Sequence, residues 1–276
     1  MTRIACAQLA PVLGDRQANR ELAAGAITAA AAQRAEVVVL PELITSGYMF
    51  QSTEEAATAA IGLEDPLLAE WCALAAAHDL VIVGGFCERD PADGGVYNSA
   101  ALIDAAGVRA VYRKLHLWDA ETLIFERGLK APPVVDTRVG RVAVAICYDL
   151  EFPELTRSVA LAGAQLLTVP TNWPLVPRPA GERPPEVVIA MAAARVNRMA
   201  VACADRLGSE RGQEWTGGTT IVGADGWVAA ETREAGVLIA DVDLAAAANK
   251  RLTAHADAFG DRRPELYGAV AQLGAR

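Results

Sequence analysis

The sequence lacks the cysteine spacing that a disulfide framework or a zinc site requires. Its five cysteines are scattered, odd in number and never arranged as Cys-x-x-Cys. They are Cys6, Cys72, Cys87, Cys147 and Cys203. This pattern is typical of proteins from a reducing compartment, so we expect neither structural disulfides nor a bound zinc ion.

Long apolar runs and an excess of basic residues are also missing. No apolar run reaches the roughly 18 to 20 residues that span a bilayer, and the N-terminal residues do not resemble a signal peptide. Lys and Arg total 25 against 34 Asp and Glu, which gives a net charge of -9. Because nucleic acids and anionic membranes bind basic surfaces, we expect neither as a partner. A soluble cytoplasmic protein fits these properties.

Several motifs of catalysis and cofactor binding are absent as well. The sequence contains no G-x-S-x-G, no H-E-x-x-H, no G-x-x-x-x-G-K-[ST], and no G-x-G-x-x-G after a strand. The histidines His78, His116 and His255 show no spacing typical of metal ligands. We therefore expect no metal and no other cofactor.

Short apolar runs alternate along the chain with longer, alanine-rich segments. The alternation predicts an α/β protein in which helices cover sheets. Predicted helices are 15–34, 66–78, 153–162 and 185–196. Predicted strands are 3–9, 36–40, 80–87, 96–103, 108–113, 142–146, 166–169, 199–204, 219–222, 227–231 and 237–241. No linker interrupts the chain, and 53% of its residues are hydrophobic, so we expect one domain over residues 1–276.

Three of the predicted strands end in a chemically reactive side chain. The strand over 36–40 leads through a proline to Glu42, the one over 108–113 leads to Lys114, and the one over 142–146 leads to Cys147. In layered α/β proteins, residues just past the strand ends gather at a common rim, where ligands bind. The sequence therefore predicts that a carboxylate, an ammonium and a thiol lie together.

These three groups would suffice for acyl transfer. Glu42 would act as general base, Cys147 as nucleophile, and Lys114 with the Tyr148 N–H would stabilise the oxyanion. Because Pro153 favours a helix start just after Cys147, we expect the helix dipole to promote the thiolate. Each residue alone also has a structural interpretation: a solvated or capping glutamate, a surface lysine, and a small core cysteine.

The motifs around these residues resemble those of the nitrilase superfamily of carbon-nitrogen hydrolases. The matching segments are Leu-Pro-Glu42, Tyr-Arg-Lys114-Leu-His-Leu and Ile-Cys147-Tyr-Asp-Leu-Glu-Phe-Pro-Glu, in that order. The resemblance extends over nearly the whole chain and implies a four-layer α-β-β-α sandwich. It also implies a Glu42-Lys114-Cys147 triad, hydrolysis through a thioester without a metal, and a homodimer or higher homo-oligomer. We expect the tail of about 252–276 to lie at the dimer contact.

The same resemblance implies further residues of the site. Glu121, ahead of Phe125-Glu-Arg-Gly128, resembles a second glutamate that holds the lysine in the family, although an exposed helix glutamate is the alternative. Asn172 and Trp173 resemble a segment that lines the family's substrate pocket, with ordinary loop packing as the alternative for Trp173.

The residues after the nucleophile favour an amide over a nitrile as substrate. Cys147-Tyr-Asp149 resembles the amidase and carbamoylase branches, whereas true nitrilases typically carry Cys-Trp-Glu. Residues 202–212 resemble amidases that act on ω-amino acid amides such as 5-aminopentanamide. We expect hydrolysis of a small aliphatic amide to a carboxylate and ammonia. The alternatives are an N-carbamoyl amine amidohydrolase, a nitrilase, an acyltransferase to an amine, and a non-catalytic binding module.

Overall fold

The computed structural model describes residues 1–268, and it contains two six-stranded mixed sheets packed face to face. The predicted contact segment 252–276 lies partly outside the described residues. Its described part contains a two-stranded hairpin and a single turn of helix.

The first sheet is formed mainly by the N-terminal half of the chain. Its strands are β1 (Thr2–Gln8), β2 (Val37–Val39), β3 (Val81–Arg89), β4 (Val96–Asp104), β5 (Gly107–Arg113) and, from the C-terminal half, β14 (Gly236–Val242). They lie in the order β14-β1-β2-β3-β4-β5. Strands β1, β2 and β3 are parallel, and β4 and β5 continue the sheet as antiparallel hairpins.

The second sheet has a similar plan with three parallel strands at its centre. Its strands are β6 (Val134–Thr137), β7 (Gly140–Val144), β8 (Leu166–Pro170), β9 (Ala200–Ala204), β12 (Thr220–Val222) and β13 (Val228–Glu231). They lie in the order β13-β12-β9-β8-β7-β6. Two separate hairpins pair β10 (Ser209–Glu210) with β11 (Gln213–Glu214), and β15 (Arg251–Thr253) with β16 (Ala256–Asp257).

The described residues form six α-helices, four of which cover the outer faces of the sheets. The six are α1 (Arg16–Ala32), α2 (Thr53–Ala59), α3 (Pro66–His78), α4 (Pro153–Leu161), α5 (Pro185–Asn197) and α6 (Pro264–Tyr267). Helix α1 begins after Asp15, whose carboxylate accepts the Ala18 N–H at 3.0 Å, as expected for an N-cap. Helices α1 and α3 pack on the first sheet, whereas α4 and α5 pack on the second.

The alternation of side chains along each strand produces the layers. Val37 and Val39 on β2 face the second sheet, while Val38 between them joins the core beneath α1 and α3. The four-layer α-β-β-α prediction is therefore confirmed. The sequence did not predict the seven-residue helix α2 or the four-residue strand β6, since both are too short for a clear periodic pattern.

The topology places the reactive strand ends at one rim. Strand β5 is antiparallel to β4, which is antiparallel to β3, so β2, β3 and β5 all point the same way. Glu42 follows β2 and Lys114 follows β5. Cys147 follows β7, in the second sheet, so the candidate site lies between the two sheets.

Candidate active site

Asn172 and Gly85 hold the backbone of Glu42 in place. The Asn172 side-chain Nδ2 donates to the Glu42 carbonyl oxygen at 2.9 Å, and the following residue, Leu43, has a positive φ of 49°. Gly85 on β3 packs against this turn so closely that a Cβ there would lie 2.5 Å from Leu43 N and 2.6 Å from the Glu42 Cα. The absence of a side chain at Gly85 thus allows the Glu42 backbone to reach its position.

Lys114 continues the hydrogen bonding of β5 beyond the end of the strand. Its N–H donates to the Asn98 carbonyl oxygen at 2.9 Å, and its own carbonyl oxygen accepts the Gly128 N–H at 2.9 Å. A Cβ on Gly128 would lie 2.1 Å from the Arg113 carbonyl oxygen, so this contact also requires glycine. Lys114 is therefore fixed between β4 and the loop after Glu121.

The Lys114 ammonium lies between two carboxylates. Its Nζ is 2.7 Å from Glu42 Oε1, and 2.9 and 2.8 Å from Glu121 Oε1 and Oε2. The side chains of Glu42 and Lys114 are completely buried, and that of Glu121 is 3% exposed. The Trp118 N–H also donates to Glu121 Oε2 at 2.7 Å. The solvated alternatives for these three residues are thus wrong, because each is buried and paired.

Asn98 on β4 connects the carboxylates of Glu42 and Glu121, and it was not among the site residues predicted from the sequence. Its Nδ2 donates to Glu42 Oε1 at 2.7 Å and to Glu121 Oε1 at 3.1 Å. One Glu42 oxygen is therefore fully engaged, while Oε2 is buried and has no hydrogen-bond partner among residues 1–268. An asparagine in the apolar run Val96-Tyr-Asn-Ser-Ala-Ala-Leu-Ile was the signal that could have identified it.

Cys147 lies at the start of a short 3₁₀ turn, Cys147–Glu151, and has a positive φ of 46°. Few non-glycine residues adopt this conformation, and such strained residues are concentrated at functional sites. The side chain is buried, with 5% of the residue exposed. Helix α4 begins only at Pro153, after the turn.

The electrostatic surroundings keep Cys147 protonated. Burial raises the pKa of its thiol well above the usual value, and the neighbouring Glu42 carboxylate raises it further. The Lys114 ammonium and the Asn172 backbone N–H lower the pKa without overcoming these effects. The prediction of a thiolate stabilised by a helix dipole is therefore wrong, since the dipole effect acts within the first helical turn. The thiol needs a base.

Glu42 has the properties of such a base. Burial raises its pKa to about 7, and Glu121 also raises it, whereas Lys114 and Asn98 act to lower it. A carboxyl group with this pKa can accept and return a proton near neutral pH. Burial by itself would lower the pKa of Lys114, but the Glu121 and Glu42 carboxylates outweigh burial and raise it. Lys114 therefore stays positively charged.

Asn172 and Trp173, the two residues predicted to bind substrate, follow β8 at the same rim. The Asn172 side chain is buried and directed to the Glu42 backbone, which gives it a role in holding the base. The Trp173 ring is 3% exposed and packs against Gly218. Asp205 fixes this segment, because its Oδ1 accepts the Trp173 N–H at 2.9 Å and its Oδ2 accepts the Gly218 N–H at 2.8 Å.

Tyr48 is a second residue that sequence reasoning missed. Burial raises the pKa of its phenol, and the Glu121 and Glu42 carboxylates add to the shift, so the hydroxyl stays protonated beside them. Its ring meets Trp215 edge to face at 5.3 Å. The backbone N–H groups of Tyr48 and Met49 donate to Glu210 Oε2 at 2.9 Å each. Tyr48 lies in a loop, six residues after Glu42, where no helix or strand periodicity in the sequence could have pointed to it.

Tyr148 places a backbone N–H directly after the thiol. Within residues 1–268, this N–H has no hydrogen-bond acceptor. The Tyr148 ring lies edge to face with Trp118 at 4.9 Å and with Phe152 at 5.0 Å. Trp118 is 40% exposed, so this group of aromatic rings reaches the surface.

The described residues contain no group of three or more His, Cys, Asp or Glu side chains that could hold a metal ion. No helix in the same part of the chain is long and apolar enough to cross a membrane.

The chain is similar in sequence and in fold to known nitrilases and amidases. A nitrilase of Pyrococcus abyssi is 35% identical over 97% of this chain and 99% of its own length. The chloroplastic omega-amidase of Arabidopsis thaliana is 31% identical over 94% of this chain and 72% of its own. The solved amidase of Nesterenkonia sp. AN1 has a TM-score of 0.80 and 29% identity, over 97% of this chain and 98% of its own.

Variants of the Nesterenkonia amidase carry the acetamide moiety of fluoroacetamide, or a Michael adduct of acrylamide, on their active-site cysteine. The family model described as carbon-nitrogen hydrolase matches residues 3–251 of the present chain. With the sandwich fold and the buried Glu42-Lys114 pair at its rim, the chain belongs to the carbon-nitrogen hydrolase family.

Proposed function

We propose that the protein hydrolyses the C–N bond of a small aliphatic amide, giving a carboxylate and ammonia through a thioester on Cys147. One observation carries this proposal. Glu42 has one oxygen held by Lys114 and Asn98, while its buried second oxygen has no partner in the described chain. A buried acceptor beside a protonated thiol is suited to general-base catalysis.

The first half of the reaction forms the thioester. Glu42 Oε2 takes the proton from the Cys147 thiol, and the sulfur attacks the amide carbonyl carbon. The C–N bond then breaks, the nitrogen leaves with the proton that Glu42 returns, and ammonia departs. Raising the pKa of Glu42 to about 7 makes both directions of this proton transfer accessible at neutral pH.

The second half releases the acid. A water molecule in the place vacated by ammonia gives a proton to Glu42 and attacks the thioester carbon. The C–S bond breaks, Glu42 returns its proton to the Cys147 sulfur, and the product leaves as the carboxylic acid. In solution this acid ionises to the carboxylate, and the proton is taken up by the released ammonia. The same glutamate therefore acts twice as base and twice as acid, once each in both halves of the reaction.

Lys114 and the Tyr148 N–H would stabilise the negative oxygen in both tetrahedral intermediates. An ammonium has three N–H groups, so one can point to the substrate when Glu42 and Glu121 accept the others. In a buried site such donors are effective, since they are fixed before the charge develops. Glu121 is assigned the task of holding Lys114, as both its oxygens lie within 2.9 Å of Nζ.

The closed character of the site supports a small acyl group. Cys147, Glu42 and Lys114 are all buried, and the ring of Tyr148, the residue after the thiol, packs against the Trp118 ring. An ω-amino acid amide such as 5-aminopentanamide is the candidate that the sequence around Arg206 favours. The omega-amidase similarity supports the amide class without identifying the acyl group.

An ammonia-release screen over aliphatic amides, ω-amino amides, N-carbamoyl amines and nitriles tests the proposal. We expect an aliphatic amide to react best, with the acyl group detected by mass spectrometry on the tryptic peptide of residues 142–157, which contains Cys147 as its single cysteine. Release of carbon dioxide with ammonia would instead identify an N-carbamoyl amine amidohydrolase. Acyl transfer to an added primary amine, with little or no acid formed when the amine is left out, would identify an acyltransferase, and the absence of turnover with all four classes would identify a binding module.

We also propose that the chain forms a homodimer. Val188 and Val196 on α5 are each 51% exposed, and Trp227 is 72% exposed, so an apolar surface lies on the helix layer of the second sheet. Light scattering of the purified protein tests the proposal. A dimeric mass is expected, and a monomeric mass at all concentrations would contradict it.

A further inference from the structure

Asp149 is completely buried next to the site, and both of its carboxylate oxygens are occupied. Its Oδ2 accepts the Ile146 N–H at 3.1 Å and the Tyr112 hydroxyl at 2.8 Å. Its Oδ1 accepts the His116 N–H at 3.1 Å and lies 2.7 Å from His116 Nδ1. The imidazole can donate to this oxygen in the tautomer that carries its proton on Nδ1.

These contacts connect the segments of the lysine and the thiol. Tyr112 and His116 lie two residues before and two residues after Lys114, and Ile146 immediately precedes Cys147. The Asp149 carboxylate is the group that binds both segments at once. It therefore fixes the distance between the ammonium and the nucleophile across the gap between the two sheets.

The turn at Cys147 needs such support because of its backbone conformation. A positive φ on a non-glycine residue persists only where the surrounding contacts hold it. Here the Asp149 N–H donates to the Ile146 carbonyl oxygen at 3.0 Å, while the Ile146 N–H donates to the Asp149 side chain. Burial and the Asp149 carboxylate raise the pKa of Tyr112, so its phenol remains a donor to the turn.

We propose that Asp149 is a positioning residue for the reaction, which holds Cys147 and Lys114 at the separation and orientation that the reaction needs, with His116 as its hydrogen-bond partner. The inference rests on the proposed thioester mechanism. A displacement of reacting groups by about 1 Å can cost on the order of 100-fold in rate. Packing alone does not require a carboxylate at this position. The convergence of four hydrogen-bond donors on one side chain does require one.

The test is the variant Asp149→Asn, which keeps the shape but replaces one acceptor oxygen by a donor. We expect kcat to fall roughly 10- to 100-fold with KM changed less than about twofold, since the reacting groups move while substrate binding is kept. Alkylation of Cys147 by iodoacetamide, followed on the peptide of residues 142–157, should slow at least about 10-fold. This readout needs no amide substrate, so it stays informative if the proposed function fails.

Glu88→Gln is the matched control. Glu88 is also a buried carboxylate, and it binds Arg113, the neighbour of Lys114, but it makes no contact with the Cys147 turn among the described residues. We expect this variant to lose stability and to keep the wild-type rate of Cys147 alkylation. A folded Asp149→Asn variant with kcat and alkylation within twofold of the wild type would overturn the proposal.

If Asp149→Asn does not fold, two variants of His116 test the same proposal. His116 is 30% exposed at its side chain, so substitutions there are tolerated more readily. His116→Asn can place an amide N–H near the position of Nδ1, whereas His116→Ala cannot. We expect His116→Ala to lower kcat and the Cys147 alkylation rate, and His116→Asn to restore both in part. If His116→Asn is no more active than His116→Ala, the proposal is wrong.

Discussion

The Asn98 side chain donates to Glu42 Oε1 at 2.7 Å, and this bond divides the Glu42 carboxylate into two unequal oxygens. The bonded oxygen belongs to a buried network, and the other is left without a partner in the described chain. Because a hydrogen bond to the charged form lowers a carboxyl pKa, Asn98 also helps to keep Glu42 near a pKa of about 7 despite its burial.

Substitution Asn98→Ala removes this donor, and the pKa of Glu42 should rise. Glu42 must be ionised to accept the thiol proton, so activity falls at pH values below its pKa. The acidic limb of the kcat/KM profile is therefore expected to move to higher pH in the variant. A pH-rate profile of both proteins measures the shift, and an unchanged or lower acidic limb would contradict the role given to Asn98.

Gly85→Ala should displace Glu42. Its new Cβ would lie 2.5 Å from Leu43 N, on the backbone that carries the base. We expect kcat to fall about 100-fold, as reacting groups lose their alignment. Gly84→Ala is the matched control, because its Cβ would meet the Trp71 ring at 2.6 Å instead. Both variants should be less stable, and equal losses of kcat would contradict the proposed role of Gly85.

Lys114→Met leaves two buried carboxylates without their cation. The expected cost is about 3–5 kcal/mol in the free energy of unfolding, since a buried charge loses its partner. The control is Arg20→Met, which breaks an ion pair with Glu70 whose side chains are 42% and 31% exposed. Such a surface pair contributes about 0–1 kcal/mol. Denaturant titrations of both variants measure the contrast, and similar losses would show that Lys114 is not held as described.

Asp205 should make stability depend on pH. Burial raises its pKa to about 6 from a model-peptide value of 3.8, so the unfolded chain releases the proton at lower pH than the folded protein. Its contribution to stability is therefore complete below about pH 4 and is lost as the pH rises through about 6. Relative to Asp205→Asn, the wild-type free energy of unfolding should fall by an amount on the order of 3 kcal/mol between these limits. A constant difference measured by denaturation at pH 4.5 and 6.5 would contradict the assigned pKa.

The residues at the strand ends could be located from the sequence because their signals are local. Each of Glu42, Lys114 and Cys147 follows a predicted strand, and β2 and β5 point the same way in their sheet, so Glu42 and Lys114 meet at one rim. The helices α3 and α5 were recognisable from the prolines at their N-termini. The catalytic roles proposed for Glu42, Lys114 and Cys147 rest on the chemistry of their side chains, and the substitutions described above test those roles.

Other features of the site depend on contacts between distant parts of the chain. Asn98 is 56 residues from Glu42 along the sequence, so no local pattern shows that its amide would join the two carboxylates. The thiolate prediction failed for a related reason. That prediction was based on the helix that follows Cys147. The pKa of the thiol is instead set by its burial between the two sheets, together with Glu42.

The most direct measurement of the central claim is ammonia release by Cys147→Ala on the best amide of the screen. Cys72→Ala, which changes a partly exposed cysteine on α3 outside the site, serves as the control. The thioester mechanism predicts that Cys147→Ala is folded and releases no ammonia above background, while Cys72→Ala keeps the wild-type rate. Turnover retained in Cys147→Ala would contradict the mechanism.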